Sequence, residues 1–371
     1  MTRLKGRAPL AIGPIVRDCG PTMSQANIFA GKPDGILPCQ SIEALIQSGA
    51  VGAETPFLPD QVQPASLDLR LGQYAWRVRA SFLPGGRKVM ERIKDVAMHR
   101  LDLSKGAVLE KGCVYIAELQ ERLDLPPAVA GRANPKSSTG RVDVFVRLLT
   151  DGGPQFDDVA EGYSGPLYVE IAPQTFSVLV RSGTRLNQLR LKQGAPVKRE
   201  VKTVGVDLTA GSLAGFRGRR HAGVIDLDRE DGHDPRDFWE PLVPKLNPYG
   251  VGELLLDPGE FYILASKEAI EIPALDAAEM TPIDPSVGEF RVHYAGFFDP
   301  GFGTEEAAGV GSRAVLEVRS HETPFLLEHG QAVARLVYEN LTERPTRLYG
   351  FDGSHYQRQG LKLSKHFKAW S

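Results

Sequence analysis

Cysteine is nearly missing from this chain of 371 residues: Cys19, Cys39 and Cys113 are far apart and odd in number. They fit neither a disulfide framework nor a metal-ligand spacing, and a reducing compartment, the cytoplasm, is the simple expectation. The eight histidines are scattered, and neither H-x-E nor P-C-x-x-C occurs, so the patterns that often set zinc against a reacting water are missing. Chemistry must then rest on carboxylates, hydroxyls, arginines and bound water. No run approaches the roughly 18 apolar residues of a membrane helix, and no membrane partner is expected. Basic excess is lacking too: the formal net charge is −2 with 24% charged residues. That excludes a general nucleic-acid binder, so any polyanion must meet local positive charge. Arg3, Lys5 and Arg7 precede LAIGPIV, but this stretch is short and holds Gly13 and Pro14. Residues 1–35 therefore read as an extension rather than a secretory leader, or translation begins at Met23.

What the chain has in quantity is glycine, 39 residues, and proline, 27, between short runs of Val, Leu, Phe and Tyr. This composition predicts a mainly β protein with many turns and few short helices. One helix is expected at SIEALIQSG, with Ser41 as cap, Ile42, Leu45 and Ile46 on one face, and Gly49 as the stop.

An internal repeat organises the rest. Shifting the sequence by 147 places superposes Gly112 on Gly259, Tyr115 on Tyr262, Leu125 on Ile272 and Pro126 on Pro273. The same register lands YVEI (Tyr168 to Ile171) on VLEV (Val315 to Val318), Gly183 on Gly330 and Leu189 on Leu336. A looser match pairs SLDLRLGQYAWRVR, from Ser66, with GVDLTAGSLAGFRGR, from Gly205. The expectation is two copies of one β unit, over 36–198 and 199–371. GAPVKREVKTVG reads as the linker between them. Arg229 to Gly250 reads as an insertion in the second copy that offers no chemical motif.

The repeat matches two glutamates, Glu170 and Glu317, each interrupting an apolar strand. A glutamate acting as general base needs a water, a group to orient it and a positive charge nearby. The segment NPKSSTGRVDV supplies such groups: Ser137 and Ser138 donate and accept hydrogen bonds, and Lys136 and Arg141 carry fixed charge. Its composition is equally that of a solvated turn. The second copy has TPIDPSVGEFRV at the matching place, without the serine pair, but keeps VHYAGFFDPGFG, with Asp299 in the Asp-Pro-Gly turn.

Taken together, PASLDLRLG (Pro64 to Gly72), KSSTGR (Lys136 to Arg141), HYAGFFDPGFG followed by LEV, and the tail YGFDGSHYQRQGLKLSKHF resemble the dCTP deaminases of the trimeric dUTPase superfamily. The resemblance implies two tandem dUTPase-like units of distorted β-barrel type, with sites formed where units meet. It implies that Ser137 holds the water, Arg141 stabilises the reacting pyrimidine, Lys136 serves the triphosphate, and Glu317 is the general base, with Glu170 at the matching place in the other copy. Ser138 and Asp299 join the substrate-binding residues. Tyr349, His355 and Gln359 fall where family members close a tail over nucleotide. Mg2+ is expected with the triphosphate, dCTP as the small-molecule partner, and hydrolysis to dUTP and ammonia without zinc as the reaction. One alternative is a dUTPase or an enzyme doing both steps, with Asp299 activating water for attack on the phosphate chain; another is a nucleotide-binding regulator without catalysis. Two copies cannot close a threefold ring alone, so the expectation is a homo-oligomer, with a rearranged monomer as the alternative.

Overall fold

A computed structural model of the chain describes residues 31–284, 286, 290–292, 296–320, 322–350 and 360–370. In the first half, the strand Ser66–Val78 alternates inward Leu67, Leu69 and Leu71 and pairs with Arg185–Gln193 on one side and Val114–Asp124 on the other. Ser164–Pro173 and then Val144–Thr150 extend the sheet one way; Val129–Pro135 and Asp158–Val159 extend it the other way. Val129–Pro135 and Val144–Thr150 thus lie toward opposite ends of the strand order while being consecutive in sequence. The sheet therefore curls toward closure around a core that includes Leu119, Val146, Val169 and Leu189. The fold is mainly β, as the composition predicts, and of distorted-barrel type, as the family resemblance implies.

The second half follows the 147-residue register strand by strand. Val114, Val129 and Arg185 open strands in the first half, and Phe261, Asp276 and Ala332 open strands in the second. The Tyr115 hydroxyl accepts from the Glu110 amide at 3.0 Å, and the Tyr262 hydroxyl accepts from Asp257 at 2.8 Å. The looser match at the start is offset in the structure. Arg185 faces Arg70 while Ala332 faces Gly205, but Tyr115 faces Arg77 while Tyr262 faces Arg217. Extra residues are therefore accommodated between Gly205 and Gly215, and Asp207, which pairs with Arg313, is not the counterpart of Asp68.

Three sequence expectations are corrected in detail. The first helix spans Cys39–Gln47 with Pro38 as its cap residue; Ser41 lies inside it, buried, with its hydroxyl on Glu343. Gly49 does end the helix, at φ +81°. The supposed linker is largely a strand, Lys198–Gly205, paired with Ala332–Asn340.

The supposed insertion has a structural role. In the first half, the excursion after Val78 carries the helix Val89–Val96, whose Val89 and Ile93 cover Ile116, Leu149 and Tyr168 on the outer sheet face. In the second half, the excursion after Gly218 leaves its own sheet instead. Ile225–Asp226 pairs in parallel with Val178–Leu179, and Phe238 and Trp239 enter the first-half core against Phe176. The matching sheet face, with Ile263 and Val315, is covered by the first half itself. Trp239 is fully buried, so Trp239→Ala is expected to cost about 3–5 kcal/mol, the range for large aromatic truncations. Denaturant unfolding checks this, and a loss below about 1 kcal/mol would show that the excursion does not anchor the core.

Candidate active site

NPKSSTGRVDV is not a solvated hairpin. Ser137–Gly140 is one helical turn, with Arg141 N–H on the Ser137 carbonyl at 3.0 Å, and Ser138, Thr139, Gly140 and Arg141 are buried. Asp143 follows at φ +54°, its amide on the Gly140 carbonyl at 2.8 Å. The turn is buried because the second half lies against it. The Asn134 side-chain oxygen accepts from the Gly296 amide at 3.0 Å, Arg141 meets Glu317, and Arg319 donates to Asp143.

Arg141 and Glu317 form the central pair. Arg141 Nε lies 4.0 Å from Glu317 Oε1, and both side chains are almost wholly out of solvent, 3% and 2% exposed. Burial pushes the Glu317 carboxyl up to about 8, against the opposing pull of Arg141. Asp143 is also raised by burial, to about 6, although Arg319 and the Thr175 hydroxyl, at 2.6 Å, both favour its charge.

Beside the turn opens a cleft of about 430 Å³ lined by Lys136, Ser137, Ser138, Asp299 and Tyr349. These five predicted residues are therefore brought together. Lys136 Nζ lies 2.5 Å from Asp68 Oδ2, and Arg185 reaches the same oxygen at 3.4 Å. Asp299 belongs to the second half, yet its carboxylate accepts from Arg190 of the first half at 3.4 Å. Burial raises the Asp299 pKa and lowers that of Arg190, whose guanidinium also stacks on Phe297 at 4.0 Å. Tyr349 donates its amide to the Pro300 carbonyl at 2.8 Å and packs on Phe302.

None of Arg141, Glu317 and Glu170 is among the residues lining this cleft, and Glu170 is placed elsewhere. It faces the outer side of its sheet, where its cross-strand neighbour Arg147 donates to it through Nη2 at 2.6 Å and Nε at 3.1 Å. His355 and Gln359 lie outside the described residues. Several contributors were not singled out from sequence. Asp68 sits in the quoted LDLRLG, where strict alternation placed it opposite the core leucines; its burial comes from Lys136 and Arg185, which the motif does not reveal. Arg190 had no local signal. Leu227, Asp228, Glu230, Lys365 and His366 also line the cleft, and all lie in the excursion or the extreme tail.

A family model described as the 2'-deoxycytidine 5'-triphosphate deaminase (DCD) N-terminal domain matches residues 33–195, and one described as the C-terminal domain matches 180–367. The chain belongs to the dCTP deaminase family. It is similar to the "dCTP deaminase, dUMP-forming" of Thermobifida fusca, 29% identical over 159 residues, covering 43% of this chain and 78% of that protein. It is also similar to the "dCTP deaminase" of Natronomonas pharaonis, 28% identical over 161 residues, covering 42% and 78%. Among solved structures, a 2'-deoxycytidine 5'-triphosphate deaminase from Agrobacterium tumefaciens matches with 52% identity and a TM-score of 0.79, over 83% of this chain and 99% of that one.

For a dCTP deaminase family member, the raised carboxyl of Glu317 has a consequence that needs no substrate. The folded protein holds this proton up to about pH 8 whereas an ordinary carboxyl loses it near 4.5, so stability present at low pH is lost as pH rises through that window. Glu317→Gln removes the effect. The variant is expected to gain thermal stability over the parent as pH rises from about 5 to 9, by on the order of a few kcal/mol at the upper end. Melting curves across this range test it; a pH-independent difference would contradict the raised carboxyl.

Proposed function

We propose that this chain deaminates dCTP hydrolytically, with Glu317 as general base. The observation that carries the reading is a buried carboxyl titrating near neutrality, about 8, beside Arg141 on the same turn that lines the cleft with Ser137 and Ser138. A base is most effective when its pKa lies near the working pH. In the proposed reaction Ser137 orients a water, Glu317 takes its proton as oxygen attacks C4 of cytosine, and Arg141 stabilises the charge that forms. The carboxyl then returns the proton as ammonia leaves, giving dUTP. Proton transfer of this kind contributes on the order of 10²–10⁴ in rate, and positioning and fixed donors supply the rest.

Lys136 and Arg185 at the cleft suit a triphosphate. Mg2+ would arrive with the nucleotide: among the described residues no group of three His, Cys, Asp or Glu is placed to hold a metal ion. Asp68, whose Oδ1 is buried without a hydrogen-bond partner, fits best against such an ion's waters. We also infer one site per chain, formed between two copies of one unit, because Glu170 is already engaged by Arg147.

The relatives named dUMP-forming favour a second reading, in which dUTP is further cleaved to dUMP and pyrophosphate. Asp299 would have to release Arg190 to act there. Product analysis with dCTP separates the two: ammonia with dUTP, or ammonia with dUMP and pyrophosphate.

Glu317→Gln is expected to lower ammonia release from dCTP by at least about 10³-fold while dCTP still binds; an active variant would remove Glu317 from the role of base. In the parent, kcat/KM is expected to rise with pH through an apparent pKa near that of free Glu317, about 8. A flat profile between pH 6 and 9 would count against it.

A further inference from the structure

The C-terminal segment from Lys362 to Lys368 runs between the turn that carries Arg141 and the excursion that follows Gly218. On its inner side, Arg141 Nη1 donates to the Lys362 carbonyl at 3.0 Å, and the Ser364 hydroxyl donates to the Ser138 carbonyl at 2.8 Å. On its outer side, the Asp231 amide donates to the Lys365 carbonyl at 2.9 Å, and the amides of Gly232 and His233 both donate to the His366 carbonyl at 3.1 Å. The Lys368 amide returns a bond to the His233 carbonyl at 3.0 Å, and Lys365 Nζ lies 2.6 Å from Glu230. Phe367 is buried among Phe238 at 5.3 Å, Trp239 at 5.9 Å and His233 at 6.1 Å.

We infer that residues 362–368 are a brace that holds Arg141 at a fixed separation from Glu317, with Ser364 and Phe367 as positioning residues. The inference rests on the reading of Glu317 as base. Its physical content is the difference between the two matched glutamates. Across the strand from Glu170, Arg147, which stacks on Phe156 at 4.0 Å, closes on the carboxylate to 2.6 Å with two donors. Arg141 spends a donor on the Lys362 carbonyl, and its Nε stays 4.0 Å from Glu317. A guanidinium that closed fully would fix the carboxylate in its charged form and weaken it as a base. Held back, Arg141 leaves the carboxyl basic. Among the described residues, the charged groups that act on Glu317 are Arg141 and Asp143; Arg319 is engaged with Asp143, and the Lys362 ammonium is lowered by burial and by Arg141.

The test reads Glu317 without relying on turnover. The difference in melting temperature between the parent and Glu317→Gln is followed against pH in three backgrounds: Ser364→Ala, Ser364→Thr and Phe367→Ala. Steady-state kinetics with dCTP are measured alongside. Ser364→Ala and Phe367→Ala are expected to move the Glu317 midpoint down by on the order of one pH unit. They should also lower kcat about threefold to tenfold, the scale of one hydrogen bond, with little change in dCTP dissociation constant. Ser364→Thr, which keeps the hydroxyl, recovers most of the loss. If the midpoint stays with the parent while stability alone falls, the segment is merely structural and the inference is overturned. Ser364→Ala decides where Phe367→Ala does not fold. A midpoint that moves in a protein that never deaminates dCTP supports the brace and overturns the reaction assigned to it.

Discussion

An arginine and a glutamate withheld from water across the junction of the halves constrain everything around them. Removing Arg141 and Glu317 from solvent costs several kcal/mol per ion unless other groups satisfy them, and at 4.0 Å their mutual attraction is incomplete. The surrounding structure answers that cost piece by piece: a carbonyl for the guanidinium, a proton retained on the carboxyl, and a second pair, buried Asp143 with the partly exposed Arg319, at the next turn. These features belong to different strands and different halves. Displacing one half against the other would break them together.

The cleft carries the same division. Both halves line it with both signs of charge, Lys136, Arg185 and Asp68 from the first and Asp299, Glu230 and Lys365 from the second, and Arg190 crosses over to hold Asp299. Of two matched glutamates one was left at a junction and the other was given a partner on its own sheet. The asymmetry follows from what covers each face. A helix covers Ile116 and Tyr168, whereas the other half of the chain covers Ile263 and Val315.

Much of this was legible in the sequence, for physical reasons. Gly112 and Gly259 recur because both adopt positive φ, +75° and +72°, and both donate to a carbonyl at the end of a matched strand. Tyr115 and Tyr262 recur because each hydroxyl satisfies a turn amide. The serine-rich segment was legible as chemistry though not as a buried helical turn, since the residues that bury it lie more than 140 positions away. The structural role of the segment read as an insertion, Arg229 to Gly250, was hidden because its Asp, Gly and Pro content is that of a surface loop, while Phe238 and Trp239 find their partners in the other half. Arg190 carries no local signal, and the tail motif that contains the brace does not show what it holds.

The crossing of that excursion also bears on how the chain comes apart. Tandem units that touch only at a surface can melt one after the other, each with its own transition. Here the aromatic side chains that complete the first core, Phe238, Trp239 and Phe367, are fastened to the second half by sequence and by strand pairing. Loosening the second half withdraws part of the first core, and loosening the first half strands those rings in water. The two halves are therefore expected to unfold as one cooperative unit rather than one after the other.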